Sequence, residues 1–159
     1  MKVEKDYEEF ISFLNKHNVK YCIIGAFAVA FYAKPRYTKD IDILVEPGED
    51  NARRILKVLE EFGFDELSIS IEDLMRKGNI LQLGYEPLRI DLLNKLEGFQ
   101  FQDIWQNRVT GDYGSEKVYF IGLDDLIKNK KMSARPSDKI DIELLEKNRA
   151  LEARPKKSS

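Results

Sequence analysis

The sequence predicts a single α+β domain in which a mixed β-sheet is flanked by helices. Apolar residues recur at helical spacing over residues 3–16 and 49–62, which indicates amphipathic helices that cover a sheet. Short, mostly apolar runs between the helical segments predict strands at 20–24, 40–45, 79–85, 88–93 and 117–121. A chain of 159 residues is long enough to form one domain with its own core.

Composition and charge set limits on partners and location. The net charge of −2 provides no overall attraction to nucleic acid or to a membrane surface. Cys22, the single cysteine, excludes an intramolecular disulfide and is expected to be a small buried residue. No segment has the length of a membrane span and the N-terminus does not resemble a signal peptide. We therefore expect a cytoplasmic protein with no membrane partner.

The first strand leads directly into a glycine turn. Its run Tyr-Cys-Ile-Ile is apolar throughout, which predicts a central position in the sheet. Gly25 and Ala26 follow and open an apolar helix that ends before Pro35. A glycine here lets backbone N–H groups approach a ligand, and the helix N-terminus can hold an anion such as phosphate. Gly25 equally fits a tight turn with no ligand.

Two carboxylates lie on the next strand. Residues two apart in a strand point to the same face, so Asp40 and Asp42 project together while Ile41 and Ile43 face the core. The two charges repel each other, and a hard divalent cation such as Mg²⁺ is the usual means of balancing them. The sequence therefore indicates a metal site on this strand.

A third carboxylate occurs on a later strand. Helix 49–62 ends at Gly63, a suitable C-terminal cap, and residues 67–71 are expected to form a short strand before a helical turn at 71–76. Two further strands, 79–85 and 88–93, are predicted on either side of Glu86-Pro87. Asp91 lies between Ile90 and Leu92 in the second of them.

The C-terminal part predicts one more strand and two helices. Four apolar residues in a looser stretch are interpreted as core or lid anchors: Phe99, Phe101, Ile104 and Trp105. Strand 117–121 precedes a helix with a basic end at Lys128, Lys130 and Lys131, and a last helix runs from Asp138 to about Leu151. We predict one domain over residues 1–151 and a disordered polar tail over 152–159.

These parts together resemble the nucleotidyltransferase superfamily, which has a DNA polymerase beta-like fold. The resemblance rests on the turn Gly25-Ala26, the pair Asp40-Ile41-Asp42 and the later Asp91. The segments IIGAFAVAFYAKPRYTKDIDILV and DLIKNKKMSARPSDKIDIELL are similar to those of small stand-alone members of the AbiEii-like and related groups. The two segments together span most of the domain, from about residue 20 to 146.

The resemblance implies a metal-dependent enzyme that moves NMP from an NTP to an acceptor hydroxyl. In this reading Asp40 and Asp42 bind two Mg²⁺ or Mn²⁺ ions, and Asp91 completes the metal shell and helps to deprotonate the acceptor. The amides of Gly25, Ala26 and Phe27 hold phosphates. Arg36 and Thr38 match a lead-in that braces the acidic strand. Two cations are candidates to neutralise the triphosphate, although they also fit a solvated basic helix end: Lys130 and Arg135.

Several alternatives stay open. Ala26 replaces the second glycine or serine of the family's turn, so no hydroxyl is available there for phosphate. A catalytically weak nucleotide-binding or partner-binding module on the same fold is therefore the second hypothesis. Toxin–antitoxin-like members of the resembled groups favour an RNA or protein acceptor, while other members imply a small molecule. A homodimer or a partner protein could complete the cleft.

Overall fold

The computed structural model describes residues 2–33, 40–64, 68–85, 88–133 and 135–152. Within this part of the chain, helices and strands follow one another as α1 Lys5–Lys16, β1 Tyr21–Ile24, α2 Gly25–Tyr32, β2 Asp40–Val45, α3 Glu49–Phe62, α4 Ile71–Met75, β3 Ile80–Tyr85, β4 Leu88–Leu93, α5 Phe101–Gln106, β5 Val109–Tyr113, β6 Glu116–Phe120, α6 Leu123–Ser133 and α7 Pro136–Glu152. The strands form one six-stranded sheet in the order β3-β4-β2-β1-β6-β5. The predicted α+β class with a mixed sheet is confirmed.

The centre of the sheet is apolar because β1 is buried along its whole length. It pairs antiparallel with β2 and parallel with β6, which confirms its predicted central position. Helix α1 covers this region with a continuous apolar face, because residues three and four apart lie on one side of a helix. The buried residues of that face are Tyr7, Phe10, Ile11 and Leu14.

The pairing of β2 with β4 sets the position of the acidic residues. The two strands are parallel, and their register aligns Asp42 with Asp91 and Asp40 with Arg89. Ile41 and Ile43 point the other way and are buried, as the alternation of side chains predicts. The register therefore brings all three aspartates to one face of the sheet.

Some elements differ from the sequence-based expectation. Residues 68–70 are not a strand, because Ser70 instead caps α4 in a reciprocal capping box with Asp73. The short helix α5 and strand β5 were missed. The predicted roles of Arg36 and Thr38 fall outside the described residues. So do residues 153–159 of the predicted tail 152–159, whose first residue, Glu152, is the last residue of α7. In the described ranges, no helix is both long and apolar enough to cross a membrane.

Candidate active site

The structure brings Asp40, Asp42 and Asp91 together on the outer face of β2 and β4. Asp42 and Asp91 are register partners, and the Asp42 carboxyl lies within hydrogen-bonding reach of the Asp91 carboxyl. Both residues are at least partly buried. Parallel strands lie about 4.8 Å apart, so the carboxyl groups of directly paired residues necessarily interact. We call these three residues the acidic face.

Arg89 lies among these carboxylates, two residues before Asp91 on the same strand. Its Nη2 donates to Asp40 Oδ2 at 2.9 Å and to Asp91 Oδ2 at 3.3 Å. Its Nε donates to Asp91 Oδ1 at 3.1 Å. The guanidinium thus bridges Asp40 and Asp91, and it contacts Asp91 through two of its nitrogens, a strong, charge-assisted arrangement.

The Asp42 carboxyl has a raised pKa. Burial first, and then the charges of Asp91 and Asp40, together raise this pKa to about 6, while the charge of Arg89 opposes the increase. Burial and the neighbouring carboxylates both disfavour the ionised form of Asp42. Perturbed groups of this kind occur often at functional sites, although structural charge networks produce them as well.

Gly25 forms the wall of the site next to Asp42. Its φ is +69°, which glycine adopts at no steric cost. A Cβ atom on Gly25 would lie 2.6 Å from Asp42 Oδ2, so a larger residue could not fit without moving that carboxylate. The residue before it, Ile24, is the register partner of Asp42. The start of α2, with the backbone of Ala26 and Phe27, therefore adjoins the acidic face.

Tyr7 supports the site from α1 and was seen in the sequence only as a core residue. Its hydroxyl donates to the backbone carbonyl of Arg89 at 3.2 Å, and its ring packs edge-on against Phe27. Burial, followed by the charge of Asp40, raises the pKa of Tyr7 above its usual range. Sequence reasoning also missed Arg89, although its spacing from Asp91 places both residues on one face of β4.

Lys130 and Arg135 lie in a different charge cluster, between α6 and α7. Lys130 Nζ is 3.2 Å from Asp138 Oδ1 and 3.4 Å from Asp141 Oδ2. All three residues are buried, and we call them the buried charge cluster. The Nε of Arg135, whose side chain is 70% exposed, contacts Asp138 Oδ2 at 3.2 Å. The structure thus brings neither cation into ionic contact with the acidic face.

The buried charge cluster is well compensated. Burial alone would raise the pKa of Asp138, but hydrogen bonds from Ser133 and Lys130, together with the Lys130 charge, hold it at about 2. The predicted roles of Lys130 and Arg135 in nucleotide binding stay predictions.

The acidic face is not preassembled as a metal site. Within the described ranges, no three His, Cys, Asp or Glu side chains converge closely enough to hold a metal ion as they stand. The reason at the acidic face is visible in its contacts, since the Arg89 guanidinium bridges Asp40 and Asp91. The donor set itself, three carboxylates on adjacent strands, is of the type that Mg²⁺ and Mn²⁺ prefer.

A mixed sheet with two paired acids on one strand, a third acid on its parallel neighbour and a glycine turn against them defines the nucleotidyltransferase class of fold. The chain belongs to the family described as "nucleotidyltransferase of unknown function (DUF6036)", whose profile matches residues 2–148. No curated protein sequence matches the chain.

Solved structures with the same fold include antibiotic-modifying enzymes. The lincosamide antibiotic adenylyltransferase LnuA, solved with lincomycin bound, is 16% identical, with 90% of this chain and 96% of that chain covered at a TM-score of 0.56. The antibiotic-resistance factor ANT(2″)-Ia is 15% identical, with 93% and 88% covered at a TM-score of 0.57. A nucleotidyltransferase candidate from Thermotoga maritima, TM1012, is 16% identical, with 96% and 97% covered at a TM-score of 0.60.

Proposed function

We propose that this protein transfers NMP from an NTP to an acceptor hydroxyl, with the acidic face as its catalytic centre. The observation that carries the proposal is the direct pairing of Asp42 with Asp91 beside the glycine turn at Gly25. Membership of a nucleotidyltransferase family supports the general reaction. The metal requirement, the residue roles and the acceptor are our own inferences.

The residues of the acidic face fit divalent metal ions. Asp40, Asp42 and Asp91 would hold Mg²⁺ or Mn²⁺, because hard cations prefer carboxylate oxygens and the strand register brings these three carboxyl groups to one face. Bound there, two ions would neutralise the triphosphate and polarise the attacking and leaving oxygens.

The chain's own groups would bind the substrate and accept its proton. The acceptor oxygen forms a bond to the α-phosphorus, the bond from that phosphorus to the bridging oxygen breaks, and pyrophosphate leaves. The proton of the acceptor hydroxyl passes to the Asp91 carboxylate, which lies beside Asp42 on the neighbouring parallel strand. Alignment of these groups, rather than covalent chemistry by the protein, supplies most of the rate in phosphoryl-type transfers.

Phosphate binding would rely on backbone groups. The N–H groups at Gly25, Ala26 and Phe27 open α2 and have no partners one turn earlier in that helix, so they are suited to a phosphate oxygen. Ala26 contributes no hydroxyl, which makes the triphosphate site weaker than one with serine. Arg135 is exposed and is a candidate for an additional phosphate contact.

The acceptor would approach over β3. In-line transfer requires the attacking and leaving groups on opposite sides of the phosphorus, and the phosphate-binding turn lies on the β1 side of Asp42. The opposite side leads across β4 to β3, where Gln82 pairs with Asp91 and Gly84 with Arg89. Both β3 residues are exposed, so this side of the acidic face is open.

The class of acceptor remains a choice among three. LnuA is an adenylyltransferase for an antibiotic, which favours a small hydroxylated molecule. An RNA end or a protein hydroxyl is the alternative that the sequence resemblance implies. We also propose that the protein is cytoplasmic and that a second subunit or a partner protein completes the cleft.

A second candidate function is nucleotide binding without turnover. Ala26 in the phosphate turn favours it, because the turn lacks the side-chain hydroxyl that would fix the triphosphate.

One experiment separates the two candidates. The protein is incubated with each labelled NTP, Mg²⁺ or Mn²⁺, and acceptors that include RNA, proteins and hydroxylated antibiotics. Asp42→Asn is tested in parallel, because the amide keeps the shape of the side chain but removes its charge. Asp112→Asn is the matched control, since Asp112 is an exposed aspartate on edge strand β5 that pairs with Lys117.

We expect metal-dependent label transfer that falls at least about a thousandfold in Asp42→Asn, because the carboxylate contributes several kcal/mol through the metal. Asp112→Asn should keep full activity. Nucleotide binding with no transfer to any acceptor, in the wild type as in the variant, would support the second candidate. Equal transfer by the wild type and Asp42→Asn would contradict the proposed site.

A further inference from the structure

We propose that Arg89 is a built-in counter-ion that a divalent cation must displace to bind the acidic face, so that Arg89 sets the metal affinity of the site. The proposal rests on the metal dependence in the proposed function and goes beyond it, because it assigns a role to a residue that is not itself a ligand.

The contacts of Arg89 carry the first step. Its Nη2 lies 2.9 Å from Asp40 Oδ2, and its Nε lies 3.1 Å from Asp91 Oδ1. Those carboxylates are also proposed ligands of the metal. An oxygen that accepts a close, charge-assisted hydrogen bond coordinates a metal ion less strongly. A cation that needs both carboxylates therefore competes with the guanidinium.

Charge gives the second step. The Arg89 guanidinium places a positive charge against both Asp40 and Asp91, and that charge weakens the attraction of the two carboxylates for a second cation. Replacing Arg89 with a neutral residue removes that positive charge from its position 3.1 Å from Asp91 Oδ1 and 2.9 Å from Asp40 Oδ2. Their attraction for a metal ion should then increase.

The surroundings of Arg89 allow it to move. Its side chain is 29% exposed, in contrast to the 8% of Lys130 in the buried charge cluster. Its cross-strand partner on β3 is Gly84, which is exposed and has no side chain to block the sheet face. Gly84 therefore places no side chain beside the guanidinium on β3.

The test measures Mn²⁺ binding directly, without the reaction. Free Mn²⁺ is followed by electron paramagnetic resonance as it is titrated into wild type, Arg89→Gln and Arg89→Lys at pH 8, where Asp42 is ionised. Arg53→Gln is the matched control, because Arg53 forms an exposed ion pair with Glu49 on α3. Arg89→Lys keeps the charge but cannot bridge two carboxylates with a planar fork.

We expect the Mn²⁺ dissociation constant to fall about tenfold in Arg89→Gln and to change by less than about threefold in Arg89→Lys and Arg53→Gln. Weaker Mn²⁺ binding by Arg89→Gln would show that Arg89 only braces the carboxylates, and it would overturn the inference. Equal Mn²⁺ affinity in all four proteins would overturn the role of Arg89 but would leave the proposed function intact. No Mn²⁺ binding to any of them would overturn the proposed function as well.

A second measurement needs no altered protein and remains informative if Arg89→Gln does not fold. Wild type labelled with ¹⁵N-arginine is titrated with Mg²⁺, which is diamagnetic, and the Nε–H resonances are followed. We expect one resonance to move toward the position of a solvent-exposed arginine, with no such change in Asp42→Asn at the same Mg²⁺ concentration. Metal binding that leaves every Nε–H resonance in place would overturn the inference.

Discussion

Two clusters of charged residues in this fold use the same residue types to opposite effect. In the buried charge cluster, Lys130 lies between Asp138 and Asp141, and the pKa of Asp138 is held at about 2. On the acidic face, the Arg89 guanidinium bridges Asp40 and Asp91, and the pKa of the neighbouring Asp42 is raised to about 6. Both shifts arise in partly or fully buried carboxyl groups. The difference is the balance of charge around them.

The comparison separates a structural role from a functional one. The buried charge cluster joins α6 to α7, and removing the Lys130 charge takes away the cation that compensates both of its buried carboxylates. The acidic face keeps an excess of negative charge at a partly exposed position, which costs stability and favours binding of a cation. Binding sites are commonly built at such a cost to the fold.

The largest effect is expected from breaking the buried charge cluster. Lys130→Met removes the buried ammonium group that contacts both Asp138 and Asp141 and should lower the free energy of unfolding by about 3 to 5 kcal/mol. Chemical denaturation at pH 7 measures it. Lys131→Met is the control, because Lys131 pairs with Glu146 at the surface and should matter far less. A loss equal to that of the control would mean that the cluster does not hold α6 and α7 together.

The next effect concerns the wall of the acidic face. Gly25→Ala forces alanine into a positive φ and pushes its Cβ against Asp42 Oδ2, so we expect a loss of about 2 to 3 kcal/mol and of label transfer. Gly63 also has a positive φ, but a Cβ atom there would meet nothing within 4 Å. We therefore expect Gly63→Ala to lower the free energy of unfolding by about 1 kcal/mol and to leave label transfer unchanged. If both variants retain transfer, Gly25 does not position Asp42.

A smaller effect of opposite sign should appear in Asp42→Asn without metal. The folded protein holds the Asp42 proton up to about pH 6, whereas the unfolded chain loses it near its ordinary pKa of 3.8. The wild type therefore loses stability as pH rises through this window. The full pKa shift of Asp42 corresponds to about 3 kcal/mol, and the partial exposure of its side chain reduces this effect. Asp42→Asn should therefore raise the free energy of unfolding by about 1 to 2 kcal/mol at pH 8.

Denaturation in EDTA at pH 8 and below pH 4 measures that difference. The gain should disappear at the lower pH, where both side chains are neutral. A variant that is less stable than wild type at pH 8 would show that the Asp42 charge is compensated after all.

The smallest effect is expected at Arg135, whose exposed side chain contacts Asp138. Arg135→Gln should change the free energy of unfolding by less than about 1 kcal/mol, because exposed ion pairs contribute little. If the exposed guanidinium reaches the triphosphate, the NTP dissociation constant should rise about threefold, as measured by calorimetry with Arg149→Gln as the control. Unchanged NTP affinity would remove Arg135 from the nucleotide site.

The strands and the three aspartates could be predicted because side chains alternate along a strand. Asp40 and Asp42 share a face by that rule, and the later apolar strand with Asp91 is recognisable as a neighbour. The pairing of Asp42 with Asp91 depends on the register of β2 with β4, which the sequence does not encode locally. The bridge that Arg89 makes follows from that register and could not be predicted without it.

Other parts were missed for different physical reasons. Strand β5 has an exposed edge and a run, Val-Thr-Gly-Asp-Tyr, without apolar alternation. Lys130 occupies the next inward position after Leu123, Leu126 and Ile127 on α6, a signal that was visible in the spacing. Its burial, however, requires carboxylates from α7, a separate helix that begins at Pro136.

The most direct test of the account is the location of metal ions in crystals grown with Mn²⁺ and a non-hydrolysable NTP analogue. Anomalous diffraction identifies Mn²⁺ independently of any assumption about the reaction. We predict Mn²⁺ peaks bound by Asp40, Asp42 and Asp91, with the triphosphate against Gly25 and the Arg89 guanidinium withdrawn from at least one of its carboxylates. A fully bound nucleotide with no Mn²⁺ at these three aspartates would contradict the account.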